Sequence, residues 1–434
     1  MKQRKEFLHY FFKGLQPFQY AILKDIYKDI YELPESADVD LVIDKKDLPA
    51  ILDMIRKGEH VMHIKIENKG FACFASVFFD DMGYLEIDLI HKFERKGIIY
   101  MSSGKLLNST TVNQQGLRTA SLHHQFEYIL LFYYLNSSQI PARYQEYFSS
   151  FSSEKRKEVL KHITHQYGLS INSLEDLYTY HVWHHNRLLH KIYNYGANKQ
   201  WNYFWHKTGY LVDFLREKWQ DKGITITFSG VDGAGKSTVL KKVQDILEKK
   251  YHKNVKVFRH RPSLLPILSS LKYGKKNAEQ RATVTLPRQG KNNNRISSIL
   301  RFLYYYSDYL IGKVYIFFRY KIRGTTILYD RYYFDFIVDG RRSNISISPS
   351  FIRLGYRFIS KPKLNFFLYA PANEILSRKQ ELSASDIRTM TDEYLHLFLD
   401  FSGAYKNQEY VAINNIDIDS TIETVTKQII NIQK

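Results

Sequence analysis

Apolar residues in the first part of the chain occur at alternate positions or in short runs, a pattern typical of β-strands. One segment instead has the spacing of a helix, at residues 46–58. The predicted strands cover residues 38–43, 60–68, 71–79, 83–90 and 97–103. Together these elements predict a small α+β domain within residues 1–120.

The spacing changes after residue 120, where apolar residues recur every three or four positions. The segments at 126–135, 153–168 and 208–220 show it most clearly, so residues 121–221 are predicted to be helical. The most apolar stretch of the chain, Ile299–Ile322, contains five charged residues. A membrane span would bury those charges, so this stretch is predicted to be a buried, aromatic-rich helix, and no membrane span is expected.

Beyond residue 222, short apolar runs alternate with helical segments. Buried strands are predicted at residues 224–229, 255–260, 325–330 and 364–370. This order is typical of an α/β fold, so a doubly wound parallel sheet is expected over residues 222–434.

Length and composition indicate a protein of several folded domains in a reducing compartment. The length of 434 residues favours several domains, and 44% hydrophobic residues favour folded ones. A single cysteine, Cys73, excludes internal disulfides and fits a reducing compartment. The first residues lack the apolar core of a signal peptide, so a cytoplasmic location is expected.

The net charge of +19 favours anionic partners, which include nucleotides, polyanions and acidic membrane surfaces. Basic residues are densest between Tyr251 and Arg301, and residues 272–298 are rich in turn formers. That segment is predicted to be a long loop. It is either a solvated insertion or a surface for nucleic acid, and the choice is left open.

The segment SGVDGAGKST has the spacing of a phosphate loop, between a predicted strand and a predicted helix. Glycines let the backbone amides face an anion, while Lys236 reaches the β- and γ-phosphates and Ser237 binds Mg²⁺. A chance glycine-rich turn would lack the flanking strand and helix. The predicted ATP-binding residues are Gly230, Val231, Asp232, Gly233, Ala234, Gly235, Lys236, Ser237 and Thr238.

Two downstream segments supply further charges. Asp330 and Arg331 end a predicted strand, where Asp330 is expected to hold Mg²⁺ and Arg331 to clamp a phosphate, unless they form a surface ion pair. Arg378, with Lys379 and Arg388, is the candidate for lid cations, although a solvated helix face has the same pattern. Lys236, Arg331 and Arg378 are therefore the predicted catalytic residues.

The segments FSGVDGAGKST, LYDRYYFD and FFLYAPANEILSRK together resemble thymidylate kinase and its relatives, over about residues 222–434. The resemblance implies a P-loop kinase that uses ATP and Mg²⁺. It also implies that Asp232 contacts the acceptor sugar and Arg331 the acceptor phosphate. Arg259, between Phe258 and Pro262, stands where the family has an acceptor-contacting arginine.

The positions that read thymine in the family differ here. Asp335, Asp339 and Gly340 replace the usual serine and tyrosine-glutamine pair, and Asp308 is followed by Tyr309 where the family has arginine. The predicted activity is therefore transfer of the γ-phosphate of ATP-Mg to a nucleotide or another small acceptor. A homodimer is left open.

Three carboxylates mark a second candidate site near the N-terminus. Asp38 and Asp40 share one face of a predicted strand, and Asp88 lies in another strand. Two-metal nucleotidyl transfer requires such a set, and the arrangement resembles the nucleotidyltransferase fold. That family has glycine-serine where this sequence has Glu35–Ser36. Two alternatives therefore stay open: a site that binds a nucleotide without catalysis, or acidic residues that only face solvent.

Two alternative functions follow. The first is a metal-dependent nucleotidyltransferase that acts on a sugar phosphate or metabolite supplied by the kinase domain. The second is a basic nucleic-acid-binding or end-modifying protein, which the basic loop at residues 272–298 would attract to nucleic acid. The basic and aromatic run at residues 180–207 offers rings on which single-stranded bases would stack, or it packs in a helical core. The histidines there suggest a metal site or, more simply, helix packing: His181, His184, His185 and His190.

Overall fold

The computed structural model divides the chain into two compact units, Met1–Glu217 and Lys218–Ile432. The boundary falls inside one helix, Trp201–Gln220. The residues that the structure describes are 2–178, 182–194, 198, 201–220, 222–262, 264–265 and 294–432.

A seven-stranded mixed sheet organises the first unit, in the order β3-β4-β5-β2-β1-β9-β8, and β6 pairs with β7 beside it. In the parallel pair β2 and β5, Asp40 lies opposite Asp88. The strands are β1 Tyr20–Ile22, β2 Val39–Ile43, β3 Val61–Asn68, β4 Ala72–Phe79, β5 Tyr84–Ile90, β6 Phe93–Arg95, β7 Ile98–Met101, β8 Thr110–Val112 and β9 Arg118–Ala120.

Both faces of this sheet are covered, because its strands alternate two sets of apolar side chains. Val39, Leu41 and Ile43 face a core that contains α1 and α2, while Val42 faces a core built mainly by α4 to α7. The predicted helical region thus contributes to the core of the first unit. The helices are α1 Lys2–Gly14, α2 Leu48–Arg56, α3 Ser103–Leu107, α4 Leu122–Leu135, α5 Ala142–Ser149, α6 Ser153–Tyr167, α7 Val182–Tyr193 and α8 Trp201–Gln220.

The second unit contains a five-stranded sheet in the order β11-β12-β10-β13-β14, in which every neighbouring pair is parallel. The mixed α/β class and the parallel sheet are confirmed, and β14 is an additional strand that the sequence patterns did not indicate. The strands are β10 Thr225–Ser229, β11 Val255–Arg259, β12 Thr326–Asp330, β13 Leu364–Tyr369 and β14 Glu409–Asn414.

Seven helices of the described residues accompany this sheet: α9 Lys236–Asp245, α10 Arg295–Arg319, α11 Phe334–Val338, α12 Pro349–Gly355, α13 Ala372–Arg378, α14 Ala384–Ala404 and α15 Ile418–Ile432. The first of them continues as a π-turn, Ile246–Lys250. The segment predicted as a buried helix corresponds to α10, but only one face of α10 is buried. Within the described residues, we find no helix whose length and apolar character would allow it to cross a bilayer.

Candidate functional site

The loop between β10 and α9 turns on three glycines with positive φ. Gly230 has φ 148°, Gly233 has φ 89° and Gly235 has φ 82°. A Cβ on Gly230 would lie 2.2 Å from the carbonyl oxygen of Leu368, and one on Gly235 would lie 2.3 Å from Nδ2 of Asn415. Because neither position has room for a side chain, the loop requires glycine at both.

Lys236 is the first residue of α9, and its side chain is buried under the loop. Its ammonium donates a hydrogen bond to the carbonyl oxygen of Val231, at 2.8 Å. Burial and the charge of Arg331 lower the pKa of Lys236 to about 7, even though Asp232 favours the charged form. The loop therefore holds a cation that is stabilised only weakly by its protein partners.

Arg331 follows β12 in a left-handed conformation, with φ 74°, and its side chain is buried. Its guanidinium donates to the carbonyl oxygen of Gly230 at 3.2 Å, to Oδ2 of Asp335 at 2.7 Å, and to Oδ1 of Asp232. Burial disfavours its charge, but the carboxylates of Asp335 and Asp232 outweigh that cost and raise the pKa of Arg331. Arg331 thus links the phosphate loop to the segment after β12.

Asp232 lies between two arginines, because Arg342 donates to its second carboxylate oxygen. Burial favours protonation of this carboxylate, but the charges of Arg331, Lys236 and Arg342 hold the pKa of Asp232 well below its usual range. The carboxylate is therefore ionised and fixed in orientation on both sides.

Asp232, Lys236, Arg331 and Arg342 line one cleft of about 360 Å³. The exposed hydroxyl residues of the first turn of α9, Ser237 and Thr238, lie at the same cleft as Asp330. The cleft is lined by most of the predicted site residues: Asp232, Gly233, Gly235, Lys236, Ser237, Thr238, Arg259, Asp330, Arg331, Arg378 and Lys379.

Four of the residues predicted for the phosphate loop and the lid do not line the cleft. Val231 and Ala234 are buried in the loop, and Gly230 contributes its carbonyl oxygen to Arg331. Arg388 is exposed on α14. Arg378 and Lys379, the predicted lid cations, each have an acidic neighbour, Glu374 at 3.7 Å and Glu381 at 3.0 Å respectively.

The sequence patterns missed two residues of this site, Arg342 and Asn415. Arg342 lies in a short 3-10 helix after α11, Gly340–Ser343, where no motif marks it. Asn415 follows β14 and donates from Nδ2 to the carbonyl oxygen of Ala234 at 2.8 Å. The apolar run Tyr410–Ile413, followed by two asparagines, was the available signal for a strand and a residue at its end.

Two carboxylates that the sequence resemblance related to thymine reading, Asp335 and Asp308, are engaged within the protein. Asp335 is buried and accepts hydrogen bonds from Arg331 and from Tyr394, the latter at 2.7 Å. Asp308 is fully buried, pairs with Arg261, and accepts from the backbone amides of Leu264 and Leu265 at 2.9 and 3.2 Å. Asp335 thus helps to fix Arg331 at the cleft, whereas Asp308 fixes the segment after β11.

Nearby, Phe258 packs its ring against Tyr329, while Arg259 is exposed at the cleft and Pro262 is buried. Asp339 is also buried. Of Phe258, Arg259 and Pro262, only Arg259 has its side chain at the cleft.

In the first unit, Asp38, Asp40 and Asp88 each place a carboxylate oxygen within 4.8 Å of the others. Lys24 lies among them, 2.7 Å from Asp40 and 3.8 Å from Asp38. Burial and the neighbouring carboxylates raise the pKa of Asp88 to about 8, and its Oδ1 is buried without a hydrogen-bond partner among the residues that the structure describes. Ser36 and Glu35 are exposed. The ammonium of Lys24 forms the ion pairs with Asp38 and Asp40.

Part of two sequence hypotheses lies outside the described residues. The basic loop at residues 272–298 is described only from residue 294 onward, and His181 and the side chains of His184 and His185 are not described. His190 is exposed near the end of α7, with Nε2 at 3.1 Å from the side-chain amide of Asn194. The described residues therefore leave both hypotheses as they were.

Comparison with known proteins gives little beyond this geometry. No family model matches the chain, and no curated protein matches it. Among solved structures, a thymidylate kinase from Ehrlichia chaffeensis is similar over 48% of this chain and 99% of its own length, with 16% identity and a TM-score of 0.31.

Proposed function

We propose that the second unit is an ATP-dependent phosphotransferase of the thymidylate and nucleoside monophosphate kinase class. It would transfer the γ-phosphate of ATP-Mg to a nucleotide or another small acceptor. One observation carries the proposal: a single cleft gathers the glycine loop, Lys236, the hydroxyls of α9, Asp330 and a set of arginines. Phosphoryl transfer requires such a set, because catalysis depends on positioning and charge stabilisation.

The residues of the loop fit a nucleotide phosphate chain. Gly230 and Gly235 fix the backbone of the loop, since a Cβ at either would clash with Leu368 or Asn415. The ammonium of Lys236 has only one carbonyl oxygen as its hydrogen-bond acceptor among the described residues. ATP would supply the phosphoryl group, and Mg²⁺ held by Ser237 and Asp330 would reduce its charge. An anion beside Lys236 would restore the pKa that burial and Arg331 lower.

The acceptor is proposed to carry a phosphate. Asp232 holds Arg331 and Arg342 side by side, and Arg259 lines the same cleft. Guanidinium groups bind phosphate through paired hydrogen bonds, so this cluster would orient an acceptor phosphate. Because Asp335 is engaged by Arg331 and Tyr394, thymine is not favoured over other bases or over a sugar.

Conversion of ATP to ADP across nucleoside monophosphates, nucleosides and sugar phosphates tests this function. Lys236→Ala should abolish acceptor-dependent turnover, whereas Lys241→Ala, an exposed lysine on the same helix, should retain it. A phosphorylated product with one acceptor class would identify the substrate. Turnover that is absent with every acceptor, or unaffected by Lys236→Ala, would reject the proposal.

A second candidate function is nucleotidyl transfer by the first unit, with Mg²⁺ on Asp38, Asp40 and Asp88. The convergence of these carboxylates and the unpartnered oxygen of Asp88 favour it. Incorporation of an α-labelled nucleotide into a sugar phosphate or metabolite should be lost in Asp38→Asn/Asp40→Asn and retained in Lys236→Ala. Equal incorporation in the double variant and the wild type would reject this function.

A further inference from the structure

An exposed apolar stripe runs along the whole length of α10. Six large apolar side chains, spaced mainly three or four positions apart, are between 46% and 70% exposed: Ile296, Leu300, Leu303, Ile311, Val314 and Phe318. Ser307 occupies the remaining position of the series. With 3.6 residues per turn, these positions form one nearly straight row, opposite the buried face of α10.

Exposed apolar residues also occur on α12, which packs against α10. The rings of Phe302 on α10 and Phe351 on α12 lie 6.0 Å apart, and the hydroxyl of Tyr306 donates to the carbonyl oxygen of Gly355 at 2.8 Å. Phe351 and Leu354 on α12 are more than half exposed, as is Phe358 just after it. The stripe on α10 and these residues of α12 are both exposed and apolar, and large exposed apolar patches usually mark interaction surfaces.

The exposed charges on α10 all have the same sign. Arg295, Lys313 and Arg319 are exposed and Arg301 is half-buried, while the only acidic residue of α10, Asp308, is fully buried. At about 100° per residue, Arg295 and Lys313 lie on one side of the stripe and Arg301 and Arg319 on the other. Long basic side chains can extend from such flanking positions toward a charged surface while an apolar face is buried.

An apolar stripe with basic residues on both sides favours some binding partners over others. A second copy of the chain, packed stripe to stripe, would bring basic side chains against basic side chains. Nucleic acid would match the charges but leave the apolar stripe in water. An anionic bilayer surface matches both, because interfacial helices bury apolar side chains below the headgroups and pair basic side chains with anionic lipids.

We propose that the second unit docks on the surface of anionic membranes through α10 and the adjoining apolar residues of α12. The helix would lie in the headgroup plane without crossing the bilayer. This property is independent of the phosphotransferase reaction proposed above, and its test does not require activity.

Co-sedimentation of the purified full chain with vesicles tests the proposal. The chain should bind vesicles of equal amounts of phosphatidylcholine and phosphatidylglycerol, and not vesicles of phosphatidylcholine alone. Phe318→Glu should weaken binding by roughly tenfold or more because it places a charge in the apolar layer. Arg319→Gln should weaken it roughly fivefold, as expected for one basic residue near an anionic surface.

Leu399→Glu is the matched control, because Leu399 is a similarly exposed leucine on α14. It should bind as the wild type does, and all variants should melt at similar temperatures since the altered side chains are exposed. Failure of the wild type to bind anionic vesicles would overturn the proposal. So would a wild-type dimer, measured by light scattering, that Phe318→Glu converts to a monomer without any vesicle binding, since a second copy would then cover the patch.

Discussion

Arg331 lies immediately after β12, and its guanidinium donates a hydrogen bond to the carboxylate of Asp232. Asp232 lies in the loop after β10, the adjacent parallel strand. The amide of Arg331 also donates to the carbonyl oxygen of Phe228 at 2.9 Å, so both ends of the residue are tied to β10 and its loop. Since Arg342 holds the other oxygen of Asp232, the carboxylate fixes two arginines beside the buried ammonium of Lys236.

We expect Asp232→Asn to lower stability and to impair turnover. The substitution leaves Arg331 with Asp335 as its only carboxylate partner among the described residues, and losing one partner of a buried ion pair costs about 3 kcal/mol. Urea unfolding followed by circular dichroism would measure the loss. Asp245→Asn, which removes an exposed carboxylate paired with Lys249, is the control. Identical unfolding of Asp232→Asn and this control would contradict the buried network.

The backbone of Arg331 gives a second prediction. A non-glycine residue at φ 74° costs about 1 kcal/mol, so Arg331→Gly should be more stable than Arg331→Ala by about that amount. Both variants lack the guanidinium, so both should lose turnover. The same two substitutions at Arg342, which is not among the positive-φ residues, should show no advantage for glycine. If alanine is the more stable variant at Arg331, the left-handed conformation is wrong.

The parallel sheet and the phosphate loop could be predicted because their signals are local. The glycine spacing around Lys236 and the apolar runs of β10, β12 and β13 are contained within short segments. Arg342 and Asn415 could not be predicted in this way. Their roles depend on contacts with Asp232 and Ala234, which are distant in sequence and meet only when the sheet forms.

The same limit applied to exposure and to the N-terminal carboxylates. The apolar content of Ile299–Ile322 predicted a helix, but composition alone could not separate a core-facing side from an exposed one. Alternation along β2 placed Asp38 and Asp40 on one face, whereas the position of Lys24 among them depends on the pairing of β1 with β2.

Lys236 should reduce the stability of the protein when no anion is bound. Its pKa is about 7 in the fold and 10.5 ordinarily, so the cost is absent above pH 10.5 and develops as the pH falls toward 7. Lys236→Met should therefore raise the melting temperature at pH 6, by the equivalent of at least ~1 kcal/mol, while abolishing turnover. The gain should vanish near pH 10.5. A variant that melts below the wild type at pH 6 would show that the ammonium stabilises the loop.

Asp88 should give the opposite slope with pH. Its pKa is about 8 in the fold and 3.8 ordinarily, so the folded state retains a proton that the unfolded chain loses, and stability falls as the pH rises from 3.8 to about 8. Asp88→Asn should remove this slope and exceed the wild type by roughly 2 kcal/mol at pH 8, with little difference at pH 4. Melting curves of both proteins across this range would measure it. Parallel pH profiles would show that Asp88 is ionised in the fold.

Substitution of Asp308 would distinguish a structural role of this residue from a role in binding the acceptor. The family resemblance relates this residue to an acceptor-reading pair, but in the structure its carboxylate is fully buried against Arg261 and the amides of Leu264 and Leu265. Asp308→Asn should therefore destabilise the fold by about 3 kcal/mol because Arg261 loses its charged partner. The Michaelis constants of the protein that remains folded should stay near those of the wild type. Unchanged stability with a raised Michaelis constant for the acceptor would instead make Asp308 an acceptor-binding residue, so urea unfolding and steady-state kinetics on one variant decide between the two roles.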